Sequence, residues 1–173
     1  MNNTIHSSDD FEGMRKAGNL AASTLDLLVE KVKPGVSTEE LDNVAFDYIV
    51  RHGGLIAPLF YKGYPKSVCT SINHVICHGI PSSRILENGD IVNIDVTVIV
   101  DGWHGDTSRM FPVGKINAKA QKLIDCTFHA MNEGINAAQP DATLGDIGSA
   151  IQTYAEKQNY SVCLLYTSDA ADE

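Results

Sequence analysis

Asp95 and Asp106 are the residues whose type and spacing point most directly to chemistry. They flank Asp101-Gly102, the strongest short signal for a two-residue type I′ turn, and the turn lies between runs rich in β-branched residues. In a hairpin folded there, Val100 faces Trp103, Thr97 faces Asp106 and Asp95 faces Ser108. Side chains alternate along a strand, and directly opposed residues share a side. Both carboxylates are therefore expected on one face as diagonal neighbours, with β-carbons roughly 6–8 Å apart. Asn93, Thr97, His104 and Ser108 share that face, while Ile94, Val96, Val98 and Val100 take the other. Two carboxylates at that reach repel when both are ionised in a shielded place. Divalent cations remove the repulsion, and such a pair can bridge two of them about 3.5–4 Å apart. A solvated strand with a polar outer face fits the same pattern, so geometry alone leaves both readings open.

The segment Gly63 to Pro81 adds a histidine, His78, beside a Gly-Ile-Pro turn, with Tyr64 and Cys69 upstream. On its own terms His78 reads as a loop histidine satisfied by backbone. His74 and His129 read as surface residues, Cys77 as a small buried hydrophobe and Trp103 as a packing residue.

These residues need elements to hold them. Apolar positions Met14, Ala17, Ala21, Leu25 and Leu28 recur at helical spacing, with Ser8, Asp9 or Asp10 as cap and Pro34-Gly35 as stop. Ser37-Thr38-Glu39-Glu40 is a capping box ahead of a second helix, whose apolar face is Leu41, Val44, Ala45, Tyr48 and Ile49. Short apolar runs follow at Leu55–Tyr61, Ser67–Ile72, Ile91–Val100 and Gly105–Val113, separated by Gly, Pro and Asn as in a β region. Helical spacing returns with Ala120, Leu123, Ile124, Phe128, Met131 and Ile135. Thr143 to Asp146 opens a last helix with Ile147, Ala150, Ile151 and Tyr154 inward, where Gly145 and Gly148 would permit close packing. Helices, then strands, then helices is an α+β order.

Composition narrows the function classes. The formal charge of −9, from 13 basic and 22 acidic residues, argues against a nucleic-acid or anionic-membrane surface, because both need clustered Lys and Arg. Four cysteines without a C-x-x-C pair suit a reducing compartment better than a disulfide scaffold. No apolar run approaches a membrane span, so the expectation is a cytoplasmic protein.

Asn93-Ile94-Asp95-Val96-Thr97-Val98, His104-Gly105-Asp106-Thr107-Ser108, Cys77-His78-Gly79-Ile80-Pro81 and the stretch Val32 to Leu41 closely resemble, in order and spacing, the type I methionine aminopeptidases. The likeness runs from the first helix to about Val162. It implies the N-terminal half of the pita-bread (creatinase/aminopeptidase) fold, an antiparallel β meander flanked by helices. It also implies metal-dependent removal of the initiator methionine from nascent polypeptide N-termini with a small second residue, by a full-length protein that is monomeric. In such enzymes the first aspartate of the hairpin chelates one divalent ion and the second bridges two, here Asp95 and Asp106. The ions would be drawn from cobalt, manganese, iron or zinc. His78 matches a catalytic histidine that contacts the substrate amide and stabilises its developing charge. Tyr61, Tyr64 and Cys69 match residues lining the methionine pocket, whereas Pro58 stands where some relatives have cysteine. Asn73 and Val75 match backbone-carbonyl ligands of one monovalent cation. Carboxylate ligation suits Mn²⁺, Fe²⁺ or Co²⁺ better than a thiolate-built structural zinc site. A non-catalytic binding module of this fold and an Xaa-Pro dipeptidase are the alternatives.

The resemblance also implies a second half supplying one more His ligand, two Glu ligands and a second catalytic His. The first of these is expected in a Gly-His-Gly-Ile stretch just after Val162, yet the chain reads Cys163-Leu164-Leu165-Tyr166 instead. Residues 1–162 are accordingly expected to be the N-terminal half of a catalytic domain. Residues 163–173, which resemble a translated sequencing adaptor, are expected to be a non-native tail. The chain itself is expected to be inactive and to expose an apolar edge and face.

Overall fold

The computed structural model describes residues 5–163. Residues 164–173, nearly all of the expected non-native tail, lie outside the described residues. The chain divides into two compact units, with the boundary between Asn117 and Ala118.

The first unit begins with helix α1, Ser8–Leu28. Its cap is Ser7, one residue before the predicted candidates. The Ser7 hydroxyl accepts from the Asp10 N–H while the Asp10 carboxylate accepts from the Ser7 N–H at 2.7 Å. Helix α2, Thr38–Arg51, starts at the predicted box, with Ser37 and Glu40 exchanging the same pair of bonds. Such reciprocal caps satisfy N–H groups that a helix leaves orphaned.

Four strands follow: β1 (Leu55–Ile56), β2 (Cys69–Ile72), β3 (Ile91–Val100) and β4 (Trp103–Pro112). All pairings with β3 are antiparallel. Because β4 runs along the whole of β3, β1 and β2 lie end to end on the opposite edge, β1 against Val98 and Ile99, β2 against Val92 to Asp95. The first predicted run gives only two strand residues. After Ala57 donates its last bond to Thr97, Pro58 has no N–H to continue the ladder, and the chain turns at Phe60, at φ 70°, into the 3₁₀ turn Tyr61–Gly63. Left-handed backbone cannot continue a strand.

The sheet's apolar face and the two helices form one core. Val92, Ile94, Val96 and Val98 are fully buried with Ala21, Leu25, Leu28, Leu41 and Ile49. The approach of α1 is so close that a β-carbon on Gly105 would overlap the backbone of Ala17 and Gly18. Glycine at 105 lets helix and sheet meet there.

The second unit packs helix α3 (Ala118–Ala137) on α4 (Leu144–Lys157), the latter capped by Thr143 with Asp146 at its third position. On α3 the buried residues are Cys126, Ala130 and Gly134, not the predicted face: Phe128 is 59% exposed, Met131 45% and Ile135 59%. Small side chains win because they let the helices approach. A β-carbon at Gly134 would press on Ile151. Gly145 and Gly148 are exposed and mediate no such approach.

Candidate metal centre and substrate pocket

The hairpin forms at the predicted turn. Asp101 and Gly102 have φ of 51° and 85°, the positive values that a type I′ turn requires. The register pairs Thr97 with Asp106 and Asp95 with Ser108. Asp95 and Asp106 thus stand diagonally on one face, opposite the core. Val92 to Val98 alternate with half-buried Asn93, Asp95 and Thr97, as the two-sided pattern demands. Asp106, His104 and Ser108 are exposed on that face.

A third strand brings Cys69 to the same place. It pairs directly with Asp95, and Ser71 pairs with Asn93, so both project from the aspartate side of β2. The Thr70 N–H points away from β3 and donates to the Gly79 carbonyl at 2.7 Å. Two more bonds hold Gly79: its N–H donates to the Ser71 hydroxyl at 3.1 Å, and the Tyr64 hydroxyl lies 3.2 Å from its carbonyl. His78, directly before this anchored glycine, has left-handed backbone at φ 54°. The Tyr64 hydroxyl also reaches the Val68 carbonyl at 2.9 Å. Burial pushes the Tyr64 phenol above its ordinary range, and Cys69, Asp42 and Asp95 around it push the same way.

Tyr64, Cys69, Asp95 and the anchor of His78 therefore gather at one end of the sheet. Tyr61 sits in the 3₁₀ turn and is 56% exposed. Asn73 and Val75 line a cleft of about 250 Å³ with Gly79 and Thr70, whose buried Oγ1 has no hydrogen-bond partner among the described residues. The Asn73 amide donates to Asp90 at 2.8 Å and its oxygen accepts from the Ile91 N–H at 3.1 Å, which ties the start of the loop to β3. Burial alone would raise the Asp90 carboxyl, but the Glu87 N–H, Asn73 and Arg84 outweigh it and hold it below the ordinary value. His74 is exposed as expected, and Cys77 is half-buried rather than buried. Trp103 packs, its indole lying where a β-carbon on Gly13 would stand.

Asp42 is a residue the sequence reading passed over. It is 4% exposed, and its carboxylate accepts from the N–H groups of Ser67 and Val68 at 2.7 and 3.1 Å. The signal was present: a charged residue stands between Leu41 and Ala45 on the inward face of α2.

The sequence profile of the metallopeptidase family M24 matches residues 12–168. The chain belongs to that family. It is 58% identical over 163 residues to a methionine aminopeptidase of Rickettsia prowazekii, covering 94% of this chain and 63% of that protein. It is 49% identical to a methionine aminopeptidase of Escherichia coli over 94% of this chain and 62% of that one. The crystal structure of the Rickettsia enzyme superposes with a TM-score of 0.91, covering 92% of this chain and 64% of that chain. A prolidase from Pyrococcus furiosus, at 20% identity, superposes with a TM-score of 0.78 and shares the fold. The α+β half of the pita-bread fold is thus the architecture present, and the chain spans somewhat under two thirds of these methionine aminopeptidases. Membership of this metallopeptidase family implies a divalent metal cofactor.

The donor set fits such an ion in part. Asp95 and Asp106 offer hard oxygen ligands from one face of the hairpin, a donor type that suits a hard divalent ion. Among the described residues no group of three or more His, Cys, Asp or Glu side chains could enclose one. No helix among the described residues is long and apolar enough to cross a membrane.

Proposed function

We propose that this chain carries the N-terminal part, residues 1–162, of a metal-dependent aminopeptidase that removes methionine from nascent polypeptides with a small second residue. The observation that carries it is the common face of Asp95 and Asp106, with Cys69 directly opposite Asp95, in a chain so similar to methionine aminopeptidases. Asp95 would chelate one divalent ion, and Asp106 would bridge it to a second. Ions held there would supply Lewis-acid polarisation and would lower the pKa of water to about 7.

The rest is the chain's own work. Tyr61, Tyr64 and Cys69 form a mostly apolar wall for an unbranched thioether side chain, placing the scissile amide above the aspartate face. His78 donates a hydrogen bond to that amide and stabilises the charge that develops on it. The backbone carbonyls of Asn73 and Val75 hold a monovalent cation, and the orphaned Thr70 hydroxyl in the same cleft supports a polar occupant there. The protein works as a monomer in the cytoplasm.

A hybrid tests the reading. Residues 5–162 would replace the matching segment of the Rickettsia prowazekii enzyme. The expected result is Mn²⁺- or Co²⁺-dependent methionine release from Met-Ala-Ser, lost in Asp106→Asn, with negligible cleavage of Xaa-Pro dipeptides. A folded hybrid that cleaves Xaa-Pro and spares Met-Ala-Ser would favour the dipeptidase, and one that cleaves neither would favour a binding module.

A further inference from the structure

We infer that Ser71 and Tyr64 are positioning residues that set His78 over the aspartate face by clamping Gly79. The inference rests on the role proposed for His78 and extends it to Ser71 and to the hydroxyl of Tyr64.

Three contacts converge on one residue. The Gly79 carbonyl takes the Thr70 N–H at 2.7 Å and shares the single Tyr64 hydroxyl proton, at 3.2 Å, with the Val68 carbonyl at 2.9 Å, while the Gly79 N–H donates to the Ser71 hydroxyl at 3.1 Å. Ser71 pairs with Asn93, so its hydroxyl lies on the Asp95 side of the sheet and draws the Gly79 N–H to that side. Ser71 is 4% exposed, which makes its hydroxyl a buried acceptor that the loop must satisfy. A β-carbon on Gly79 would overlap the Thr70 carbonyl, so only glycine fits so close to the strand. The residue just before it, His78, then takes left-handed backbone at φ 54°, a conformation unfavourable for an L side chain unless its surroundings impose it. The clamp imposes it. Position and strain are both consistent with a loop built to present one imidazole in one place.

The test uses the 173-residue chain at low concentration with two readouts by mass spectrometry. Hydrogen exchange at the Gly79 amide reports the clamp. Oxidation of histidine by Fe²⁺, ascorbate and peroxide reports distance from bound iron, with His104, on the aspartate face, as internal reference. In Ser71→Ala, Gly79 exchange is expected to rise at least about tenfold, and His78 oxidation to fall severalfold relative to His104. Ser71→Thr, which keeps the hydroxyl, is expected to restore both. Tyr64→Phe repeats the test from the carbonyl side should Ser71→Ala not fold. Unchanged Gly79 exchange in both Ser71→Ala and Tyr64→Phe would overturn the clamp. Faster exchange with an unchanged ratio of His78 to His104 oxidation would overturn positioning. Should Asp106→Asn leave His104 oxidation undiminished, the metal reading fails instead, and Gly79 exchange still decides the clamp.

Discussion

At the residue scale, Asp95 and Asp106 carry the proposed metal centre. Replacing either by Asn keeps its size and removes its charge. Mn²⁺ affinity measured by calorimetry is expected to fall at least about tenfold, or 1.4 kcal/mol, with the circular dichroism unchanged. Tyr64 gives a pH prediction. Its phenol is raised from an ordinary value of 10.0, mainly by burial, so the folded chain keeps a proton that the unfolded chain releases. That stability is complete below about pH 10 and falls as pH rises beyond it. Tyr64→Phe should lose about 1 kcal/mol at pH 8, from the hydroxyl's bonds, yet decline less steeply above pH 10 in denaturant titrations. The two aspartates were legible in sequence because strand alternation and a two-residue turn determine a face by counting. The clamp on Gly79 was not, because its three donors and acceptors come from a loop, a strand and a tyrosine whose meeting no local pattern encodes.

Elements carry the next set of expectations. Gly105 lies one residue from Asp106 but on the opposite face, against the α1 backbone. Gly105→Ala must push α1 off the sheet and is expected to destabilise by about 3 kcal/mol or more, as severe overpacking does. Ser37→Ala removes one half of the α2 capping box and is expected to cost about 1 kcal/mol. That corresponds to a Tm drop of about 2–4 °C by differential scanning calorimetry. Capping boxes are short and local, which is why those of α2 and α4 were readable and that of α1 was missed by only one residue. The inward face of α3 was misread for a different reason. Periodicity weights large side chains, whereas the helix contact is made by Cys126, Ala130 and Gly134, whose smallness is the point.

Across the whole molecule, the described residues supply two carboxylates and no third ligand that would enclose a cation. The 173-residue chain on its own is therefore expected to release no methionine from Met-Ala-Ser at any metal concentration. The sheet face opposite the core carries Asn93, Asp95, Thr97, Asp106 and Ser108 beside Ile99 and Met110, because strand alternation sends most apolar residues to the helices. Among the exposed apolar side chains are Phe128, Met131 and Ile135 on one face of α3, and Leu55 on the short edge strand β1. Concentration-dependent association in sedimentation velocity is expected, and Phe128→Lys should reduce it. The single measurement that reaches the centre of the account is anomalous diffraction from crystals of the hybrid enzyme soaked in Mn²⁺. A manganese peak within coordination distance of both the Asp95 and the Asp106 carboxylates is the expected result. Manganese bound elsewhere, with the two carboxylates turned apart, would contradict it.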